Sequence, residues 1–77
     1  MAMAEPTEKE VMNAIATGLK TLREEKGLAQ REVFYDTGIH IGRIEIRERT
    51  ISVHTLKRLC YYYNITMKEF FERYCEL

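Results

Sequence analysis

An all-α fold of five helices is what this sequence predicts, on three observations. Apolar residues recur at three- and four-residue spacing along most of the chain, the period of a helix with one buried face. Two segments, Thr7-Glu8-Lys9-Glu10 and Thr66-Met67-Lys68-Glu69, match the capping box, in which a threonine and a glutamate three residues on satisfy each other's backbone N–H groups. With one proline and four glycines in 77 residues, little is left for linkers, and the length suits one core. Residues 1–77 are therefore expected to form a single compact domain.

The first helix runs from about Glu8 to Lys26. Val11, Ile15, Gly18, Leu19 and Leu22 fall on one face, and Gly27 stands where a left-handed C-terminal residue is wanted. Residues 1–6 precede the cap and are assigned to no element. Gln30 to Tyr35 suits a short second helix with Val33 and Phe34 turned inward. Asp36-Thr37-Gly38 is a turn cluster, since Asp and Thr accept from free N–H groups. A third helix follows, from about Gly38 to Arg47, with Ile39, Ile41 and Ile44 as its buried stripe and Arg47-Glu48-Arg49-Thr50 as a polar loop after it. Ser52 caps a fourth helix whose core stripe is Val53, Leu56, Leu59, Cys60 and Tyr63, and Asn64 can take the left-handed stop. The fifth helix opens at Thr66 with Phe70, Phe71, Tyr74 and Leu77 as its apolar set.

Composition excludes several function classes. No apolar run approaches the length of a membrane span, and no basic-then-apolar stretch marks a secretory signal, so a cytoplasmic protein is expected. Cys60 and Cys75 lie on apolar faces and read as buried thiols rather than a disulfide framework. With His40 and His54 they show no paired zinc-ligand spacing, so no metal is expected. No phosphate-binding glycine loop or nucleophile elbow occurs, and Asp36, Glu45 and Glu48 form no catalytic carboxylate pair. Neither an enzyme nor a cofactor protein is predicted. Twelve basic residues offset twelve acidic ones, yet residues 20–58 hold nine basic and six acidic side chains between acidic flanks. A modest positive centre of this kind can meet phosphates, because that contact depends on the local field.

A short helix, a tight turn and a second short helix between longer helices is the arrangement that projects one helix into a DNA major groove. The segments "LREEKGLAQREV", "TGIHIGRIE" and "ISVHTL", followed by "LKRLCYYYNITMKEFF", resemble the XRE, or phage-repressor-like, helix-turn-helix family over roughly Gly18 to Phe71. The resemblance implies a repressor-like fold and a sequence-specific DNA-binding transcriptional regulator acting as a homodimer on a palindromic operator. It implies that Gln30 opens the second helix and holds a phosphate. It also implies that Glu45 closes the recognition helix and pairs with Arg23 of the first helix, a structural lock. Between Gln30 and Glu45 the chain is a few residues shorter than the common pattern. A register on Glu48 would set Arg47 at an apolar position, so Glu45 is preferred.

Groove chemistry narrows the contact set. Burying Ile41 and Ile44 turns Gly38, His40, Gly42, Arg43 and Arg47 to the other side. Arg43 can make the bidentate contact to guanine O6 and N7. His40 and Thr37 can donate to a base edge or phosphate, and Gly42 would let bare backbone approach the duplex. Arg31, beside Gln30, and Arg47, Arg49 and Thr50, past the helix, suit phosphates. Solvated surface charge is the competing reading of each arginine, and His54 reads as a surface residue. The aromatic group at Tyr61, Tyr62, Tyr63, Phe70, Phe71 and Tyr74 exceeds what a small core needs. Tyr61 or Tyr62, with Phe71 or Tyr74, should therefore reach the surface and suit a dimer contact through the last two helices. The alternative function is a protein-interaction module, an antitoxin or scaffold that keeps the fold, which the zero net charge favours.

Overall fold

Thr7 opens the longest helix of the chain. The computed structural model describes residues 4–77; Met1–Met3, part of the unassigned leader, lie outside the described residues. The Thr7 hydroxyl accepts from the Glu10 N–H at 3.1 Å and Glu10 accepts from the Thr7 N–H at 3.0 Å, so the predicted capping box is formed. It starts α1 (Glu8–Glu25), followed by α2 (Gln30–Thr37), α3 (Ile41–Glu45), α4 (Val53–Tyr62) and α5 (Met67–Arg73). Among the described residues there is no strand, and the fold is all-α as expected. Among the described residues no helix is long and apolar enough to cross a membrane.

Three of the helices end the same way. After α1, α3 and α4 the chain turns left-handed at Gly27, Arg47 and Asn64, with φ of 69°, 64° and 59°. In each case the next N–H returns to a carbonyl five residues back: Leu28 to Arg23, Glu48 to Arg43 and Ile65 to Cys60. This double closure satisfies carbonyls the helix end leaves free. Gly27 and Asn64 were foreseen as stops; Arg47 was not, because arginine rarely takes this backbone region. It explains why the third helix is shorter than expected. Rather than running from Gly38 to Arg47, α3 is five residues, bounded by left-handed Gly38 (φ 74°) before it and left-handed Arg47 after it. The second helix is longer than expected, extending past Tyr35 through Asp36 and Thr37, two residues of the predicted turn.

One core joins all five elements. Ile15, Leu19 and Leu22 of α1 meet Val33 of α2, Ile41 and Ile44 of α3, Leu56, Leu59 and Cys60 of α4, and Phe70 of α5, with Ile39, Tyr63 and Cys75 from the connections. Each is at most 8% exposed, which places nearly every predicted core residue inside. Four residues of the predicted apolar faces are exposed, Phe71 at 41% among them. Phe34 is 39% exposed because Val33 alone fills the space α2 offers the core. Val53, first residue of α4, and Leu77, last of the chain, are exposed as well. The end of the chain also crosses α1 at close range. A Cβ on Gly18 would lie 2.5 Å from the Tyr74 carbonyl oxygen, so only glycine allows that approach.

Cys60 and Cys75 are free and buried, and burial pushes both thiols up. Thiols in such surroundings are poor nucleophiles. Among the aromatics, Tyr61 is exposed and Phe71 partly so, whereas Tyr62 and Tyr74 are half-covered and tethered. Tyr62 donates to Asp36 at 2.5 Å and Tyr74 to Glu25 at 2.6 Å, bonds that raise both phenols, Tyr62 to about 12.

Candidate functional site

Leu22 and Leu19 commit one face of α1 to the core, and the same rotation turns Arg23 toward α3. Its guanidinium grips the Glu45 carboxylate with two bonds, Nε to Oε2 at 2.7 Å and Nη2 to Oε1 at 3.0 Å. The third nitrogen, Nη1, donates to the Leu28 carbonyl at 2.7 Å, and the glutamate side chain is only 2% exposed. The hydrogen bonds to Glu45 hold the Arg23 guanidinium above its ordinary value. Gln30, first residue of α2, adds a fourth bond, Nε2 to Glu45 Oε1 at 3.0 Å. One carboxylate thus ties α1, α2 and α3 together. A fork of this kind fixes orientation as well as distance. The expected Arg23–Glu45 lock is present, and Glu48, the other register, is exposed.

That fourth bond gives Gln30 a job inside the protein. Its amide lies across Gly42, where a Cβ would come within 3.0 Å of Oε1. Gly42 was expected to admit a close backbone approach from outside, but the neighbouring glutamine already occupies that space.

The other expected contact residues separate into groups. Arg31, His40 and Arg43 are exposed and line one open cleft of about 410 Å³ between α2 and α3. Among the described residues neither Arg31 nor Arg43 has an acidic partner within salt-bridge distance. Gly38, Arg49 and Thr50 line a second, smaller hollow of about 220 Å³ beyond His40, which borders both. Two members turn elsewhere. Thr37 uses its hydroxyl within the turn, donating to the Val33 carbonyl at 2.7 Å and accepting from the Ile39 N–H at 3.0 Å. Arg47 folds back onto α1, Nη2 donating to the Thr17 hydroxyl at 2.7 Å and Nη1 to the Glu45 carbonyl at 3.2 Å. Its left-handed backbone is what swings it away from the cleft.

Three residues at the site were not singled out from the sequence. Arg58 of α4 donates to the Thr37 carbonyl at 2.6 Å, a cation stopping the C-terminal end of α2. Phe34 stacks on His40 with ring centroids 4.4 Å apart and planes 26° from parallel. Ile46, at 65% exposure, lines the same cleft. The signal for Phe34 was available: it lies three and four residues after Arg31 and Gln30, on the same outer face of α2. Among the described residues no group of three or more His, Cys, Asp or Glu side chains is placed to hold a metal ion.

No protein-family model, no curated protein and no solved structure matches this chain.

Proposed function

We propose that this chain is a non-catalytic, sequence-specific DNA-binding regulator that presents the corner between α2 and α3 to the major groove of duplex DNA. The observation that carries this reading is the Glu45 knot. By tying α1, α2 and α3 at one carboxylate it leaves Arg31 and Arg43 standing clear of the body with no acidic partner among the described residues. Five residues of helix span about 7.5 Å, so α3 would enter a groove about 12 Å wide by its end rather than along its length. Arg43 would make the bidentate guanine contact, His40 a base-edge or phosphate contact at the mouth of the helix, and Arg31, Arg49 and Thr50 contacts to phosphates. Gln30 and Arg23–Glu45 would act by holding the corner. A homodimer through the last two helices is supported by the exposed Tyr61, Phe71 and Leu77. It would set two such corners about 34 Å apart, one duplex turn, on a palindrome. A cytoplasmic location is part of this reading.

Selection of bound sites from random duplex DNA tests the proposal. The expected result is an enriched inverted repeat, bound with an affinity whose logarithm falls against log salt by about 0.9 per phosphate contacted. Failure to enrich any duplex would overturn it. The second reading, a protein-interaction module such as an antitoxin or scaffold, is favoured by the exposed Phe34 and Ile46 in the cleft and by the zero net charge. It predicts instead a protein complex whose affinity barely changes with salt.

A further inference from the structure

The cleft between α2 and α3 has an apolar floor that neither arginine explains. On α2 the outer positions are Gln30, Arg31 and Phe34, and on α3 with its C-cap they are Gly42, Arg43 and Ile46. Each trio is spaced three and four residues apart, so each forms one surface. Phe34 and Ile46 are 39% and 65% exposed, and the Phe34 ring is held against the His40 imidazole rather than left to rotate. An apolar floor alone would accept many partners. A rim carrying two unpaired guanidinium groups selects one that is apolar at its centre and anionic at its edges. The major groove of duplex DNA is such a surface wherever thymine places its C5-methyl group on the floor between two rows of phosphates.

We infer that Phe34, with Ile46 beside it, is a specificity-determining contact that reads thymine methyl groups. The inference rests on the DNA-binding reading above and deepens it. Arg43 selects a guanine by hydrogen bonds, while Phe34 selects a neighbouring thymine by apolar contact. The Phe34–His40 stack matters because a ring already fixed in place loses little freedom on contact. The site is therefore expected to carry a thymine close to the guanine in each half.

Deoxyuridine differs from thymidine only by that methyl group, so it tests the inference without touching the protein's fold. The full chain would be titrated with its selected duplex and with duplexes carrying deoxyuridine at single thymines. Loss of roughly three- to fivefold in affinity at one thymine per half-site is expected, the scale of one buried methyl. Phe34→Ala should bind both duplexes with nearly equal affinity, its helicity and melting checked alongside. Indifference to deoxyuridine at every thymine, or discrimination that survives in Phe34→Ala, would overturn the inference while leaving DNA binding intact. Retention of no duplex in the selection would overturn both, and would direct attention to an acidic, apolar peptide as occupant of the cleft.

Discussion

Where α3 meets α1 the contact is ionic, with the Arg23 fork on the buried Glu45 carboxylate. Where the C-terminal segment meets α1, Gly18 lies beneath the Tyr74 carbonyl and Phe70, and Glu25 accepts from the Tyr74 hydroxyl without forming an ion pair there. The outer surfaces reverse this pattern. On α5 each cation has an acidic neighbour one turn away, Lys68 with Glu72 at 4.0 Å and Arg73 with Glu69 at 3.7 Å. On the α2–α3 corner Arg31 and Arg43 have none among the described residues. The difference teaches two things. A five-residue helix with Ile41 and Ile44 as its buried apolar residues has too little surface to fix its own rotation, and a bidentate ion pair supplies that constraint. And zero net charge is the sum of a positive middle, residues 20–58 with nine basic and six acidic side chains, and of acidic flanks, so the total hides the local field at the corner.

The strongest way to break this comparison is to remove the knot. Glu45→Ala leaves the Arg23 guanidinium buried without its partner and should cost about 3–5 kcal/mol, read as a drop in urea midpoint. A loss under about 1 kcal/mol would mean that apolar packing already seats α3. At the other end, Gly18→Ala drives a methyl against the Tyr74 carbonyl and should cost about 1–3 kcal/mol. An unchanged melting temperature would show that the chain end is not pressed on α1. The outer surfaces are compared through a pair of variants. Arg43→Ala should weaken binding to the selected duplex by about 1–3 kcal/mol, whereas Arg73→Ala should leave it unchanged. Both should keep stability within about 0.5 kcal/mol.

The smallest expected effect concerns pH, and it spans both ends. Glu10 and Glu69 accept from the backbone N–H groups of Thr7 and Thr66, and those bonds hold both carboxyls below their ordinary value of 4.5. A carboxyl lowered in the folded state stabilises it fully above its unfolded value. That contribution fades as pH falls through the lower folded value. Denaturation midpoints should therefore decline on acidification below about pH 4.5, and Glu10→Gln with Glu69→Gln should flatten part of that decline. An identical acid profile in the double variant would show that the caps do not contribute.

Most of the helical architecture was legible because its signals are local. Thr7-x-x-Glu10 and Thr66-x-x-Glu69 are complete within four residues, and both boxes are formed. Ser52 accepts from the Thr55 N–H, and Gly27 and Asn64 are left-handed, as their residue types favour. The candidate site was legible only in part. Arg23–Glu45 emerged from a family resemblance and spans 22 positions, a pairing that no local pattern encodes. Phe34 misled because a phenylalanine beside a core valine reads as core; whether α2 buries one or two residues depends on how near α1 and α4 come. Arg47 misled because its terminating role needs a backbone state that its side chain disfavours. Its bonds to Thr17 and to the Glu45 carbonyl, the first of them 30 positions away, accompany that state.

What the sequence by itself determined is the five helices, most of their ends and which stripe of each is apolar, since periodicity and capping act over a few residues at a time. Tertiary structure decided the length of α3, the outward turn of Phe34, the recruitment of Gln30 across Gly42 and the isolation of Arg31 and Arg43. Those outcomes depend on distances between residues far apart in the chain. Only the packed core of Leu19, Leu22, Ile41 and Leu59 sets them, by bringing one carboxylate within reach of three helices.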